Sequence, residues 1–201
     1  MPDKLGPAQA ELERAYREVN TLVFADSCPP TCVVTIQTRG RKKALAWYAP
    51  NRWQNGGEKP LHEINICAEH LADGPERILE SLVHEMVHAR NASMGIKDCS
   101  KGRYHNGKFK VAAEAVGLIV EKSKSCGWGH TELSSSLREK LSRVILRKDA
   151  FELARISSEG KKKEGTRLVK WTCGCDRNFW AKTQMDEVVC GKCNTSFLVQ
   201  G

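Results

Sequence analysis

The sequence predicts an α+β protein in which one domain with a small antiparallel sheet is followed by a small β module. Three observations support this fold class. Apolar residues recur at helical spacing over residues 8–23 and 75–93, and β-rich runs lie between these two segments. Four of the nine cysteines then cluster near the C-terminal end, which is typical of a separate small module.

Length and composition limit the organisation of the chain. With 201 residues, 40% hydrophobic and 28% charged, it has room for one domain of ordinary size and a small module. Nothing approaches the run of about 18 apolar residues that a membrane span needs. Residues 1–7 also lack a basic-then-apolar signal pattern. We therefore expect a cytoplasmic protein with no membrane partner.

Charge and cysteine content bear on partners. The formal net charge of +8 is compatible with binding to DNA or the nucleoid, although basic proteins of other kinds are common. In a chain expected in the cytosol, an odd cysteine count with a terminal cluster favours metal binding over disulfides.

The N-terminal segments predict one helix and three strands. The helix over 8–23 is followed by two prolines between Cys28 and Cys32, which prevent it from continuing. The two cysteines could bind metal or form a disulfide, but we expect them to be free thiols in a turn. Strands are expected over 32–38, 44–48 and 61–67. Residues 39–43 are expected to form a basic hairpin turn and residues 49–60 a loop.

The helix over 75–93 carries the pattern His-Glu-x-x-His at His84, Glu85 and His88. Histidines four residues apart lie about 40° apart on a helix, so both imidazoles can reach one ion. Zinc-dependent hydrolases use such a pair of histidines to bind the ion, and the glutamate between them is placed to accept a proton from the attacking water. The alternative is a surface helix whose two histidines are four apart by chance; a third histidine downstream favours the metal.

A catalytic zinc normally takes three protein ligands and leaves one position open. The candidates for the third ligand are His105, His130 and Glu114. We favour His105, because it follows the polar loop 94–104 and is expected to begin a second helix, over 106–117, that can pack back on the first. His62 and His70 are assigned no metal role.

The sequence after residue 117 indicates secondary structure less clearly. The pattern is weak over 118–136, where residues 126–131 resemble a constrained turn. A helix is expected over 137–153, with basic residues that could face nucleic acid but more commonly face solvent. The predicted domains are 8–153, a basic linker over 154–167, and a terminal module over 168–201.

The terminal module contains Cys173-Gly-Cys175 and Cys190-Gly-Lys-Cys193. Two cysteine turns separated by a short hairpin suit tetrahedral four-cysteine zinc coordination, and so small a module has too little core to fold otherwise. A redox dithiol pair is the less favoured alternative. The expected cofactors are therefore two zinc ions, one catalytic and one structural.

Together these motifs resemble the SprT-like family of zinc metallopeptidases. The resemblance rests on residues 61–66, 84–89 and 102–109 and covers about residues 10–150. The terminal module is similar to the zinc ribbon of many bacterial and phage members. The Cys-x-Cys turn departs from the usual ribbon pattern, which has two residues between the cysteines.

The resemblance implies a compact zincin-like core with His84, His88 and His105 as zinc ligands and Glu85 as general base and acid. It implies hydrolysis of peptide bonds in a protein or peptide substrate. DNA-linked proteolysis in the family's eukaryotic branch makes DNA-associated proteins a candidate substrate class. If the strand over 61–67 lies at the sheet edge, a substrate could add to it as an extended strand.

Two alternatives stay open. The first is a non-catalytic nucleic-acid-binding zinc protein with a vestigial peptidase site. The second is hydrolysis of a bond other than a peptide, since the same ligand set supports several hydrolytic reactions. The oligomeric state is not predicted.

Overall fold

The computed structural model describes residues 4–30, 32–38, 44–54, 56–101, 103–144, 146–156, 168–181 and 188–199. The chain divides into two units, Met1–Ile156 and Ser157–Gly201. Most of the predicted linker, residues 157–167, lies outside the described residues, as does the predicted hairpin turn over 39–43. Among the described residues, no helix has the length and apolar character to cross a membrane.

The first unit contains four α-helices and seven strands among its described residues. In chain order they are α1 (Gly6–Phe24), β1 (Cys32–Gln37), β2 (Ala46–Trp53), β3 (Leu61–Cys67), α2 (Pro75–Ser93), β4 (Cys99–Ser100), β5 (Tyr104–His105), α3 (Gly107–Ala115), β6 (Leu118–Ser123), β7 (Gly127–Leu133) and α4 (Ser135–Leu141). Short 3₁₀ helices cover Ala68–Asp73 and Lys148–Phe151.

The first sheet has the order β1-β3-β2, with β3 parallel to β1 and antiparallel to β2. The sheet expected to be antiparallel is therefore mixed, and the expected hairpin pairing of β1 with β2 is wrong. β3 is the central strand because it pairs with both β1 and β2. Its residues 63–67 are all buried, so both of its faces are covered. The strand β2 continues to Trp53, through residues that were predicted as a loop.

The helix α2 confirms the predicted bounds of 75–93, and α1 covers the predicted helix over 8–23. Pro75 begins α2 at a position where a missing N–H costs little. The apolar residues Leu82, Val83 and Met86 of α2 are fully buried in the core that α1 and the first sheet share.

A second sheet, with the order β4-β5-β7-β6, occupies segments that were predicted as loop or as weak pattern. The strand β4 and the first residue of β5 lie inside the predicted loop 94–104, and β6 and β7 form an antiparallel hairpin within 118–136. The constrained turn expected over 126–131 is largely the start of β7. β5 and β7 pair in parallel at His105 and Gly127.

The helix expected over 137–153 is wrong in its length. α4 ends at Leu141, and a 3₁₀ helix follows at Lys148–Phe151. Between them the backbone N–H of Arg147 donates to the Glu11 carboxylate of α1 at 2.7 Å, so this segment is held by a tertiary contact. The regular spacing of apolar residues does not reveal this break.

The described residues of the second unit form three short antiparallel strands, β8 (Val169–Thr172), β9 (Asn178–Ala181) and β10 (Leu198–Val199). Their order in the sheet is β10-β8-β9. Its small core is aromatic. The ring of Trp171 stacks on Phe179 at 6.4 Å, and Phe179 meets Phe197 edge-on at 4.8 Å between ring centroids.

Candidate metal centre

Two histidines of α2 and one of β5 converge on a single point. His84 Nε2 lies 3.2 Å, and His88 Nε2 lies 3.1 Å, from His105 Nε2. Imidazole nitrogens bound to one tetrahedral zinc at about 2.0–2.1 Å would lie about 3.3–3.4 Å apart. The three predicted ligands are thus brought together at a spacing that fits one metal ion.

The route by which His105 reaches this point differs from the prediction. His105 lies in β5 and does not begin a helix, since α3 starts two residues later at Gly107. Neither alternative third ligand belongs to the histidine group among the described residues. His130 lies on a cleft wall, and Glu114 pairs with Lys110 at 3.4 Å along α3.

Each of the three imidazoles is held at Nδ1 by a different kind of group. The pairs are His84 with Thr131 Oγ1 at 3.0 Å, His88 with Asp98 Oδ2 at 2.8 Å, and His105 with the Cys126 carbonyl oxygen at 3.0 Å. Hydrogen bonds at Nδ1 fix the ring orientation and leave Nε2 as the ligand atom. Burial lowers the pKa of both His84 and His105, which favours the neutral form that binds metal.

The side chain of Phe109 in α3 closes the inner side of this centre. Its ring centroid lies 4.8 Å from that of His84, 4.7 Å from His88 and 4.6 Å from His105. Phe109 is fully buried. An apolar ring against all three imidazoles leaves the opposite, cleft side as the open approach to the metal position.

Two glycines let β7 pass close to His105. A Cβ atom at Gly129 would lie 2.5 Å from His105 Nδ1, and one at Gly127 would lie 2.2 Å from the His105 carbonyl oxygen. Gly127 also has a φ of +67°, in the left-handed region that favours glycine. The glycines therefore have a packing role beside the third histidine, in the stretch where the sequence pattern was weakest.

Glu85 lies next to the histidines and is 7% exposed. Burial raises the pKa of its carboxyl to about 7, against the opposing effects of His88, the Tyr48 backbone N–H and Arg103. A carboxylate with a pKa near neutrality is suited to accept and return protons. The residue predicted as the general base is therefore in an environment that fits this role.

The histidine centre opens into a cleft of about 1070 Å³. α2 contributes His84, Glu85 and His88 to its lining, the β6–β7 hairpin contributes one wall, and β2 contributes the other. Because β3 is the central strand, the condition under which a substrate could add to residues 61–67 is not met. The edge strand beside the cleft is β2, whose Trp47 and Tyr48 line it.

The four C-terminal cysteines form the second candidate site. Cys175 Sγ lies 3.5 Å from Cys173 Sγ and 3.8 Å from Cys190 Sγ, and Cys193 completes the group. Thiolates bound to one zinc at about 2.3 Å in tetrahedral geometry would lie about 3.8 Å apart. The four predicted cysteine ligands therefore also have a spacing that fits one metal ion.

Thr195 organises the cysteine turns. Its hydroxyl oxygen accepts a hydrogen bond from the Gly174 N–H at 3.0 Å and lies 3.0 Å from Cys193 Sγ. Hydrogen bonding by Thr195 is the main cause that lowers the pKa of Cys193 to about 6. Thr195 thus ties the turn that contains Cys173 and Cys175 to the turn that contains Cys193. The residue it bonds in the first turn is Gly174, the single residue between the two cysteines.

The remaining histidines have other partners. His62 Nδ1 lies 2.6 Å from the Tyr48 hydroxyl, and His70 Nδ1 lies 2.7 Å from Asp73 Oδ2. Cys28 is buried, and burial raises the pKa of its thiol to about 12. None of these three side chains belongs to a metal-ligand group in the described part of the chain.

Comparisons of the chain with protein-family models, with curated proteins and with solved structures found no match. A function can therefore be inferred only from the two sites themselves. The sequence predicted the histidines and cysteines that the structure brings together, but it gave no sign of the parts that Asp98, Thr131 and Phe109 play beside them. The spacing of Phe109 within a helix indicated only a buried residue, and no pattern marked the other two.

Proposed function

We propose that the chain is a zinc-dependent metallopeptidase whose active centre is formed by His84, His88, His105 and Glu85. The observation that carries this proposal is the convergence of three imidazole Nε2 atoms whose Nδ1 atoms are all hydrogen-bonded outward. A surface helix with two chance histidines would not acquire three such partners. The resemblance to SprT-like peptidases agrees with this assignment.

When bound, zinc supplies a Lewis acid that acidifies water and polarises a carbonyl group. Glu85 accepts the proton of the attacking water and returns it to the leaving amine. The Tyr48 N–H and Arg103 favour the charged form of Glu85, while burial favours the neutral form. The carboxylate can therefore occupy both protonation states in one reaction cycle.

The edge strand β2 beside the cleft favours an extended polypeptide as substrate. The carbonyl of Leu45, the residue before β2, accepts a hydrogen bond from the Cys67 N–H of β3 at 2.9 Å. In an antiparallel ladder alternate residues pair inward, so the N–H groups of Ala46 and Tyr48 point away from β3. The Tyr48 N–H donates to Glu85, and the Ala46 N–H is placed to bind a substrate backbone.

The cysteine group is proposed to hold a structural zinc. Four thiolates fill the tetrahedral positions and leave no site for substrate. The small aromatic core around Trp171 is too small to stabilise the second unit without such a cross-link.

Metal content and cleavage together test the proposal. The purified chain is expected to hold two zinc ions, and a His84→Ala, His88→Ala variant one. Glu85→Gln should keep both ions and abolish cleavage of an unfolded protein substrate. Glu114→Gln is the matched control, because Glu114 is an exposed carboxylate of α3 outside the histidine group.

Adding single-stranded or duplex DNA to the same assay tests the DNA-associated substrate class, which the charge of +8 permits. Cleavage by Glu85→Gln at the parent rate would exclude the proposed role of Glu85. Absence of cleavage with every substrate, together with salt-sensitive DNA binding, would instead support the non-catalytic nucleic-acid-binding protein.

A further inference from the structure

Asp98 differs from the other two groups that hold the imidazoles. It lies in the loop between α2 and β4 and is 9% exposed. Its Oδ2 accepts hydrogen bonds from His88 Nδ1 at 2.8 Å and from Asn91 Nδ2 at 3.0 Å. His88 and Asn91 are three residues apart on α2, so one face of the helix holds the carboxylate at two points.

The same loop also delivers the third ligand. The Asp98 carbonyl accepts a hydrogen bond from the Asn106 N–H at 3.0 Å, and the Asn106 side chain donates to the Lys97 carbonyl at 3.1 Å. Cys99 pairs with His105 across β4 and β5. The position of Asp98 is thus fixed by α2 on one side and by the neighbours of His105 on the other.

Charge separates Asp98 from its counterparts. Thr131 contacts His84 through a neutral hydroxyl, and Cys126 contacts His105 through a neutral carbonyl. A carboxylate bonded to the outer N–H of an imidazole increases the basicity of that ligand, and charge-assisted hydrogen bonds are about twice as strong as neutral ones.

We propose that Asp98 is a positioning residue that determines how tightly the histidine centre holds its metal, with Asn91 fixing the carboxylate. Thr131 and Cys126 orient their imidazoles and contribute less to affinity. This inference rests on the proposed metal centre, but it concerns affinity and not the reaction.

The test is the zinc affinity of the full-length chain, measured by competition with a chelator. Cobalt substitution distinguishes the two sites, because only the cysteine site gives thiolate charge-transfer absorption. Asp98→Asn keeps the size of the side chain and removes its charge. We expect it to weaken binding at the histidine centre by about 10- to 100-fold.

Two variants serve as comparisons. Thr131→Val is expected to weaken binding by less than Asp98→Asn does. Asp73→Asn is the matched control, because Asp73 makes the same carboxylate contact to His70 Nδ1 at 2.7 Å away from the centre. Its affinity for zinc should equal that of the parent.

Unchanged affinity in Asp98→Asn would overturn the inference, and so would an equal loss in Thr131→Val. If Asp98→Asn does not fold, Asn91→Ala decides: we expect a several-fold loss of affinity, and parent affinity would overturn the inference. A parent chain that binds metal only at the cysteines would refute the metal centre itself. That result is distinguishable from a failure of the Asp98 inference, because bound cobalt would then give only the thiolate charge-transfer spectrum of the cysteine site.

Discussion

At the scale of single residues, the absence of a side chain at Gly129 is what gives β7 room beside His105. A Cβ atom there would lie 2.5 Å from His105 Nδ1, so Gly129→Ala must displace the ring or the strand. We expect this variant to lose the metal of the histidine centre and keep that of the cysteines. Metal analysis should then give one zinc ion per chain where the parent has two.

Gly107→Ala is the control for this substitution, because a Cβ at Gly107 meets nothing within 4 Å. It should keep two zinc ions. Full zinc content in Gly129→Ala would show that the close approach of β7 does not matter for the site.

A second prediction at this scale concerns the contribution of the Phe109 ring to stability. Phe109→Ala removes a fully buried ring and should lower the free energy of unfolding of the first unit by about 3–5 kcal/mol. Val111→Ala in the same helix should be nearly neutral, because Val111 is 68% exposed. Denaturant unfolding measures both values, and equal effects would show that Phe109 is not a core residue.

The sequence predicted the candidate metal ligands of the site better than the residues that hold those ligands in place. His84 and His88 follow from helical spacing, and His105 from its place after the helix. The partners Asp98 and Thr131 could not be predicted, because a hydrogen bond between residues distant in sequence leaves no local pattern. Gly129 stands in a segment whose strand character its own glycines weaken.

At the scale of elements, α1 is joined to the end of the first unit through Glu11. The Glu11 carboxylate accepts hydrogen bonds from Arg14 and from the Arg147 backbone N–H and is 7% exposed. The Arg14 side chain is the main cause that lowers the pKa of Glu11 below its ordinary value of 4.5. The folded state therefore favours the charged carboxylate.

Glu11→Gln should destabilise the first unit by about 1.5–3 kcal/mol at neutral pH, since a hydrogen-bonded charge is lost. A carboxyl with a lowered pKa contributes its full stabilisation above pH 4.5 and loses it as the pH falls through the folded-state value. The difference between parent and variant should therefore shrink below pH 4.5. Unfolding curves across this range, with the exposed Glu13→Gln as control, would contradict the prediction if the difference stayed constant.

The edge strand β2 makes a prediction about substrate binding. Ala46→Pro removes an N–H that points away from β3 and leaves the inward ladder in place. For a long peptide we expect KM to rise by about fivefold, which corresponds to one hydrogen bond of about 1 kcal/mol. A substrate too short to reach Ala46 should show no change, and an unchanged KM for long substrates would exclude strand addition at β2.

Helices were predicted better than sheets because helix contacts are local. The pattern of α2 repeats within one segment, whereas the central position of β3 depends on pairings 30 residues apart with β1 and 8–20 residues apart with β2. The hairpin of β6 and β7 was missed because Gly127 and Gly129 interrupt the alternation that marks a strand. The break after α4 depends on the contact between Glu11 and Arg147, which periodicity does not record.

At the scale of the whole molecule, the described residues place the group of three histidines in the first unit and the group of four cysteines in the second. Each group draws all its ligands from its own unit, so we expect the two to bind metal independently. Cys193→Ser should reduce the metal content from two zinc ions to one and leave peptide cleavage unchanged. Cys126→Ser, which alters a thiol outside both groups, should keep both ions.

Loss of both metals in Cys193→Ser would show that the units depend on each other. Loss of cleavage with the histidine metal retained would instead show that the second unit takes part in catalysis. The boundary between two such units was expected from the lysine-rich stretch and the cysteine cluster. The ligands within each unit were also predictable, because short spacings between histidines or cysteines are local features.

Because β4 and β5 form a short ladder, the number of residues between Asp98 and His105 determines where the third imidazole points. Neighbouring residues of a strand point to opposite sides, so one residue inserted or deleted between Asp98 and His105 would turn the third imidazole away from α2. The same change would shift the carboxylate that holds His88. Functional variants of this chain should therefore tolerate altered side chains in this interval far better than an altered number of residues.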